Sequence, residues 1–302
     1  MAETERLLLI APPLMDRTPA LERAAALARV KSAALHIVAF DYIEGIANVG
    51  FAGDPAIAAL RDGYVHSHRH WLEEQAKGIR HMGVDTTTEV VWVERPYEEI
   101  VAHIREMAPA MVIKDLQHTS WLTRALSTTL DMQLLFDCTA PLHLVANVQH
   151  GIPRKIVAAV DPFRVEDQYE GLNDRIITAA EQLAAQCGAQ LDLLYAYDMS
   201  YIYALDGGFS NASSVMGELY DDEAREFHAL ADRFGVPPDR RHMVTGNPAR
   251  VIETFMQDNS VDVVVLGTVH REVRSKLLGS TTEQLVNHLP GSLLAVNPRR
   301  VI

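Results

Sequence analysis

Ala110-Met-Val-Ile-Lys114 and Asp262-Val-Val-Val-Leu266 decide the fold, because the second stretch repeats the first 152 residues later. Both are short, continuous apolar runs, the composition of a strand covered on both faces of a sheet. The repeat extends outward from there. Arg95-Pro-Tyr-Glu-Glu-Ile100 is matched by Asn247-Pro-Ala-Arg-Val-Ile252 at the same spacing, and each proline suits the first turn of a helix, where a missing N–H costs little. Pro141-Leu-His-Leu-Val-Ala146 is answered by Ser292-Leu-Leu-Ala-Val-Asn297. Toward the start, Arg6-Leu-Leu-Leu-Ile-Ala-Pro12 pairs with Lys155-Ile-Val-Ala-Ala-Val-Asp161, residues 21–28 with 176–183, and 34–40 with 190–196. A spacing held over so many blocks means duplication.

Each copy alternates β-rich runs with longer helical patterns, which predicts βαβ units and a parallel sheet. Residues 56–83 read as one long helix stopped by Gly83, and about 213–235 as its counterpart. In the second, Val215, Leu219, Phe227, Leu230 and Phe234 mark one apolar stripe. The order β-α-β-α-β-α-β-α-β predicts a doubly wound, Rossmann-like α/β domain used twice, at 1–149 and 153–302, with a junction near 148–153.

Composition narrows the function. The 302 residues are 48% hydrophobic and 22% charged, enough to bury two cores. With 27 Lys+Arg against 40 Asp+Glu the net charge is −13, which argues against nucleic acid as a partner. No run approaches the roughly 18 apolar residues of a membrane span, so membrane insertion is not expected. The start, Met1-Ala2-Glu3-Thr4-Glu5-Arg6, is acidic where an export signal is basic. Cys138 and Cys187 read as two buried thiols of a reducing compartment rather than a disulfide framework. The expected localisation is cytoplasmic.

Several segments together resemble the universal stress protein family in its tandem two-domain form. They are Trp71-Leu-Glu-Glu-Gln-Ala76, Val90-Val-Trp-Val-Glu-Arg-Pro96, Ser127-Thr-Thr-Leu-Asp131 before Cys138, Val264-Val-Leu-Gly-Thr-Val269 and Leu278-Gly-Ser-Thr-Thr-Glu-Gln284. The resemblance covers nearly the whole chain. It implies a stress-response role exercised by binding a small molecule or a partner. It also implies that the last strands, 142–146 and 293–296, pair edge to edge as an intramolecular pseudo-dimer, with a homodimer as a further option.

In open α/β sheets, ligands sit beyond the C-terminal ends of strands where strand order reverses. Gly267 follows a strand there, and Gly279-Ser280-Thr281 opens the next helix, the arrangement that offers backbone N–H groups to phosphate. Asp161 ends the copy's first strand and can accept hydrogen bonds from ribose or adenine; Ala196 and Leu266 complete the expected lining. Nucleotide-binding members of the family carry Gly, two residues, Gly, nine residues, Gly, then Ser or Thr. Here His270 replaces the second glycine and the spacing is one residue short. A turn at Gly279 with Ser280 or Thr281 capping a helix explains the same residues without a ligand. In the first copy Asp115 replaces Gly267, Ser127 replaces Gly279 and Ala11 replaces Asp161. ATP is therefore expected, if at all, in the second domain only. His118 and His270 are equivalent, and retained loop hydrogen bonds account for them.

No catalytic residue and no metal ligand emerges. The chain lacks a Gly-x-Ser-x-Gly elbow and a phosphate loop ending Gly-Lys-Ser/Thr. The first-strand loops, Ala11-Pro-Pro-Leu-Met15 and Asp161-Pro-Phe-Arg-Val165, do not cradle pyrophosphate. Cys138 reads as structural. His66, His68 and His70 read as a solvated or partly packed helix surface, because no further ligand completes their face. Residues 42–55 and 200–214 read as long loops mixing aromatics with glycine. The competing readings are thus an ATP-binding switch with slow hydrolysis in the second domain, or a carrier of an apolar, lipid-like ligand under those loops.

Overall fold

A computed structural model describes residues 4–12, 14–41, 55–116, 129–146, 149–163, 171–198, 212–268 and 280–297, without the side chains of 56, 212–216, 280, 283 and 287. The chain divides into two compact units, Met1–Ile152 and Pro153–Ile302. The first runs β1 (Arg6–Ile10), α1 (Pro19–Lys31), β2 (Ala34–Asp41), α2 (Pro55–His81), β3 (Thr86–Trp92), α3 (Pro96–Met107), β4 (Met111–Asp115), α4 (Leu130–Asp137), β5 (Leu142–Val145). The second runs β6 (Lys155–Val160), α5 (Leu172–Cys187), β7 (Gln190–Tyr197), α6 (Ala212–Arg233), β8 (Arg241–Thr245), α7 (Pro248–Asp258), β9 (Val263–Gly267), α8 (Ser280–His288), β10 (Ser292–Val296). Strand order is β3-β2-β1-β4-β5 in one unit and β8-β7-β6-β9-β10 in the other, every pair within a unit being parallel. This is the doubly wound α/β architecture that the repeat predicts.

Successive strand residues point to opposite faces. Leu7, Leu8 and Leu9 of β1 are all fully buried, as are Val263, Val264 and Val265 of β9, so both faces of the central strands are covered. The edge strands β3 and β8 instead leave most positions partly exposed. Pro96 and Pro248 open α3 and α7. Gly83 and Gly235 follow α2 and α6 at φ +85° and +63°, the left-handed conformation that glycine adopts at little cost. Along the expected stripe, Phe227 and Leu230 of α6 are buried, while Leu219 of α6 and Phe234 just after it are half-buried; the Val215 side chain lies outside the described residues. The helix starts at Ala212, so the end of the segment 200–214 that reads as a loop is helical. Among the described residues no helix is long and apolar enough to cross a membrane.

One glycine is fixed by backbone crowding. A Cβ at Gly291, just before β10, would meet the carbonyl oxygens of Asp262 at 2.9 Å and Val261 at 3.0 Å. The backbone leading into β9 cannot yield as a side chain can. Gly291→Ala is therefore expected to cost ~1–3 kcal/mol by overpacking. Gly151→Ala, whose new methyl would meet only the Ala26 Cβ at an ordinary 3.6 Å, should be near neutral. Urea unfolding of both variants checks the contrast.

Candidate functional site

Strand order reverses between β1 and β4 in the first unit and between β6 and β9 in the second, and those C-terminal ends carry the site residues read from the sequence. Asp161 directly follows Val160, whose β7 partner Tyr195 precedes Ala196. Gly267 closes β9 and pairs with Val296. Leu266 is buried, Ala196 half-buried and Asp161 exposed. The register thus brings Asp161, Ala196, Leu266 and Gly267 to one sheet edge at the reversal. Ser280 and Thr281 form the N-terminus of α8, with Thr281 half-buried. Gly279, His270 and His118 lie outside the described residues, as does most of 42–55 and 200–214.

The backbone of Asp161 is clamped by α5: its N–H donates to Asn173 Oδ1 at 3.0 Å, and its carbonyl accepts from Asn173 Nδ2 at 2.8 Å. Its Oδ1 accepts the Phe163 N–H at 3.2 Å, an Asx turn that orients the carboxylate. Gly267 has a packing role that the sequence does not disclose. A Cβ there would meet the Leu172 side chain at 2.7–3.0 Å. The missing side chain lets the first turn of α5 lie against the strand end.

The first unit fills the corresponding space with its own charge. Asp115 Oδ1 accepts the Ala20 N–H at 2.9 Å in the first turn of α1, where a carboxylate also meets the positive end of the helix dipole. Burial pushes the Asp115 carboxyl above its ordinary range, against the neighbouring Thr18 hydroxyl and the Ala20 amide, which pull it down. Beside it, Lys114 and Asp131 form a buried ion pair at 2.7 Å. The position equivalent to the Gly267 end of β9 is thus occupied in the first unit by Asp115, held to the Ala20 amide, beside the Lys114–Asp131 ion pair.

Two expectations need correction. His68 is not a helix-surface residue: it is fully buried, and its Nδ1–H donates to Asp41 Oδ2 at 2.7 Å, while His66 and His70 are exposed. Asp41 ends β2, so its partner comes from the sheet rather than from the helix face. Cys187 is half-buried, whereas Cys138 is buried. In the second unit Tyr197 and Tyr220 take the positions of Asp41 and His68 and meet edge to face at 5.4 Å. Tyr195 donates its hydroxyl to the buried Glu223, whose carboxyl is pushed up mainly by burial.

A further cluster of donor atoms, His36, Glu89 and His103, was missed in the sequence because its members come from β2, β3 and α3. Each offers one ligand atom, and these atoms lie within 4.8 Å of one another.

Comparison with known proteins agrees with this architecture. Residues 154–297 match the model described as Universal stress protein family, which spans nearly all of the second unit. The second unit thus matches the universal stress protein family. Along its length it is 28% identical to Universal stress protein E of Escherichia coli strain K12, over 99% of this chain and 95% of that one. It is 24% identical to Universal stress protein E of Photorhabdus laumondii, over 99% and 96%. Among solved structures, a functionally unknown protein of Pseudomonas aeruginosa PAO1 is 22% identical with a TM-score of 0.70, covering 98% of this chain and 93% of that one. A universal stress protein of Archaeoglobus fulgidus is 16% identical with a TM-score of 0.60, over 97% and 98%. These structures share the fold.

The site geometry makes two predictions. Gly267→Ala should destabilise the second unit by ~1–3 kcal/mol through collision with Leu172, and Gly267→Ala with Leu172→Ala should be non-additive in a double-mutant cycle read by urea unfolding. Cys138 donates to the Ala140 carbonyl, and burial raises its thiol to about 11. It should resist thiol reagents at pH 8 until the protein unfolds. A raised thiol value stabilises fully below the unfolded-state value and is lost as pH rises through the folded one. Stability should therefore decline between about pH 9 and 11 by up to ~3 kcal/mol, and Cys138→Ala should remove that slope.

Proposed function

We propose that this stress-response family member acts by binding, with an adenine nucleotide held at the C-terminal sheet edge of the second unit. The observation that carries the reading is the contrast between the units at the same place. The first unit fills its strand-reversal point with Asp115, Lys114 and Asp131. The second has Gly267 and Leu172 at that strand end, and Asp161 stands instead at the end of the neighbouring β6. A phosphate approaching the end of β4 meets a carboxylate, and one approaching the end of β9 meets a glycine.

Other features support the same assignment. The N-terminus of α8 carries Ser280 and Thr281, and a helix start offers unpaired N–H groups to phosphate. Asp161, oriented by its Asx turn, is the group for ribose or adenine hydrogen bonds. Phe163 and Tyr220 are partly exposed aromatics, on the segment after β6 and on α6, suited to an adenine face. In this reading ATP occupies the second unit alone, and hydrolysis is not the operative event.

Thermal unfolding of the full chain with ATP tests the proposal. Ligand at ~100 times its Kd should stabilise by ~2.7 kcal/mol. Asp161→Ala should weaken the effect at least tenfold, while Asp115→Asn in the first unit should leave it unchanged. No shift with ATP, ADP or AMP at millimolar concentration sinks the nucleotide assignment. An equal shift in Asp161→Ala moves the ligand away from this sheet edge.

A further inference from the structure

We propose that His36, Glu89 and His103 form a binding site for one divalent first-row transition cation of the Zn²⁺ type, in the first unit and apart from any nucleotide. The set is two imidazoles and one carboxylate, a donor combination that suits borderline cations and leaves a fourth position for water. His36 Nε2 and Glu89 Oε2 are 3.4 Å apart. Two ligands each ~2.0–2.2 Å from a tetrahedral ion are separated by about 3.3–3.5 Å. His103 lies against the same pair, its ring stacked on that of His36 at a centroid distance of 5.6 Å and 10° between planes. The remaining separation involves His103, whose donor atom lies within 4.8 Å of the other two.

The surroundings prepare the donors. His36 Nδ1 is 2.8 Å from Thr87 Oγ1. A proton on Nδ1 donated to that hydroxyl fixes the tautomer in which Nε2, the nitrogen facing Glu89, keeps its lone pair. Phe40 packs edge-on against His103 at 5.6 Å and holds that ring in place. The site sits early in β2, on a sheet position beside α3. The nucleotide-facing edge, by contrast, lies at the C-terminal ends of the strands.

The second unit supplies an internal comparison. By the repeat and the strand register, Asp192 takes the position of His36, His242 that of Glu89 and Phe255 that of His103. Asp192 and His242 still approach one another, at 3.5 Å, but the third donor is a phenyl ring packed on His242 at 4.7 Å. Lys155 also neutralises Asp192, at 3.5 Å. The fold therefore needs no imidazole at the helix position: phenylalanine packs there. Three donors converge in the first unit and two in the second.

The experiment uses full-length protein without a histidine tag, titrated with Zn²⁺ against a chromophoric chelator, with bound metal counted by mass spectrometry after dialysis. The expected result is one zinc per chain and a raised melting temperature. His103→Phe, which copies the second unit, and Glu89→Gln, on the exposed edge strand, should each weaken binding at least tenfold. Thr87→Val should weaken it less. His66→Ala with His70→Ala should change nothing. Circular dichroism checks that the variants fold, and Glu89→Gln carries the test if His103→Phe does not. Absence of zinc binding at 100 times the protein concentration overturns the proposal. So does binding that survives Glu89→Gln and His103→Phe, or that is lost with His66 and His70.

Discussion

A parallel strand cannot be joined to its neighbour by a tight turn, so each must be followed by a crossover that lays a helix over the sheet. Once helices cover both faces, successive residues of a central strand are all buried, as Leu7, Leu8 and Leu9 are. Charge is then excluded from the middles of the central strands; apart from strand starts such as Arg6 and Lys155, it gathers in two places. One is the C-terminal ends, where Asp41, Asp115 and Asp161 stand; the other is the edge strand and its neighbour, where His36 and Glu89 stand. The candidate chemistry of this protein lies in just those positions. It follows from the covering of the sheet before any ligand is considered.

At the reversal point the constraint becomes one of filled volume. The space beside the end of β4 or β9 borders the first turn of a helix, and close packing does not leave it empty. The first unit fills it from the strand, with Asp115 reaching the Ala20 amide; the second fills it from the helix, with Leu172 reaching over Gly267. The two solutions are mutually exclusive. A carboxylate at 267 would collide with Leu172, and a glycine at 115 would strip the first turn of α1 of its acceptor. One exchange therefore changes both the packing and the electrostatics of the edge, and the difference in charge between the units follows from how each fills this gap.

Much of this was legible in the sequence because it is local. Apolar runs announce the strands, Pro96 and Pro248 the helix starts, and Gly83 and Gly235 the left-handed stops. What stayed hidden depends on partners distant in the chain. The triplet His66, His68 and His70 has no internal sign that its middle member faces inward; the reason is Asp41, 27 residues earlier at a strand end. Gly267 shows a missing side chain but not that Leu172 takes the space. His36, Glu89 and His103 meet only once strand register and a crossover are known.

The two copies also show how a buried wall diverges without loss of packing. At the end of the second strand, the hydrogen-bonded pair Asp41 and His68 corresponds to the edge-to-face pair Tyr197 and Tyr220. Two residues back, Ala39 and Trp71 correspond to Tyr195 and Glu223. In the latter exchange the large ring moves from helix to strand, so total volume is roughly kept, the kind of change cores tolerate best. The new phenol also brings a polar atom indoors, and Glu223 supplies its acceptor. In the former exchange the acid and the imidazole are both replaced, by two phenols, because either one alone would be a buried group without its hydrogen-bond partner. Substitution in matched pairs is what the burial rule requires. It gives the second unit an aromatic wall under α6 where the first has an acid and an imidazole, so the surfaces bordering the two sheet edges differ in chemistry although the backbone that carries them is the same.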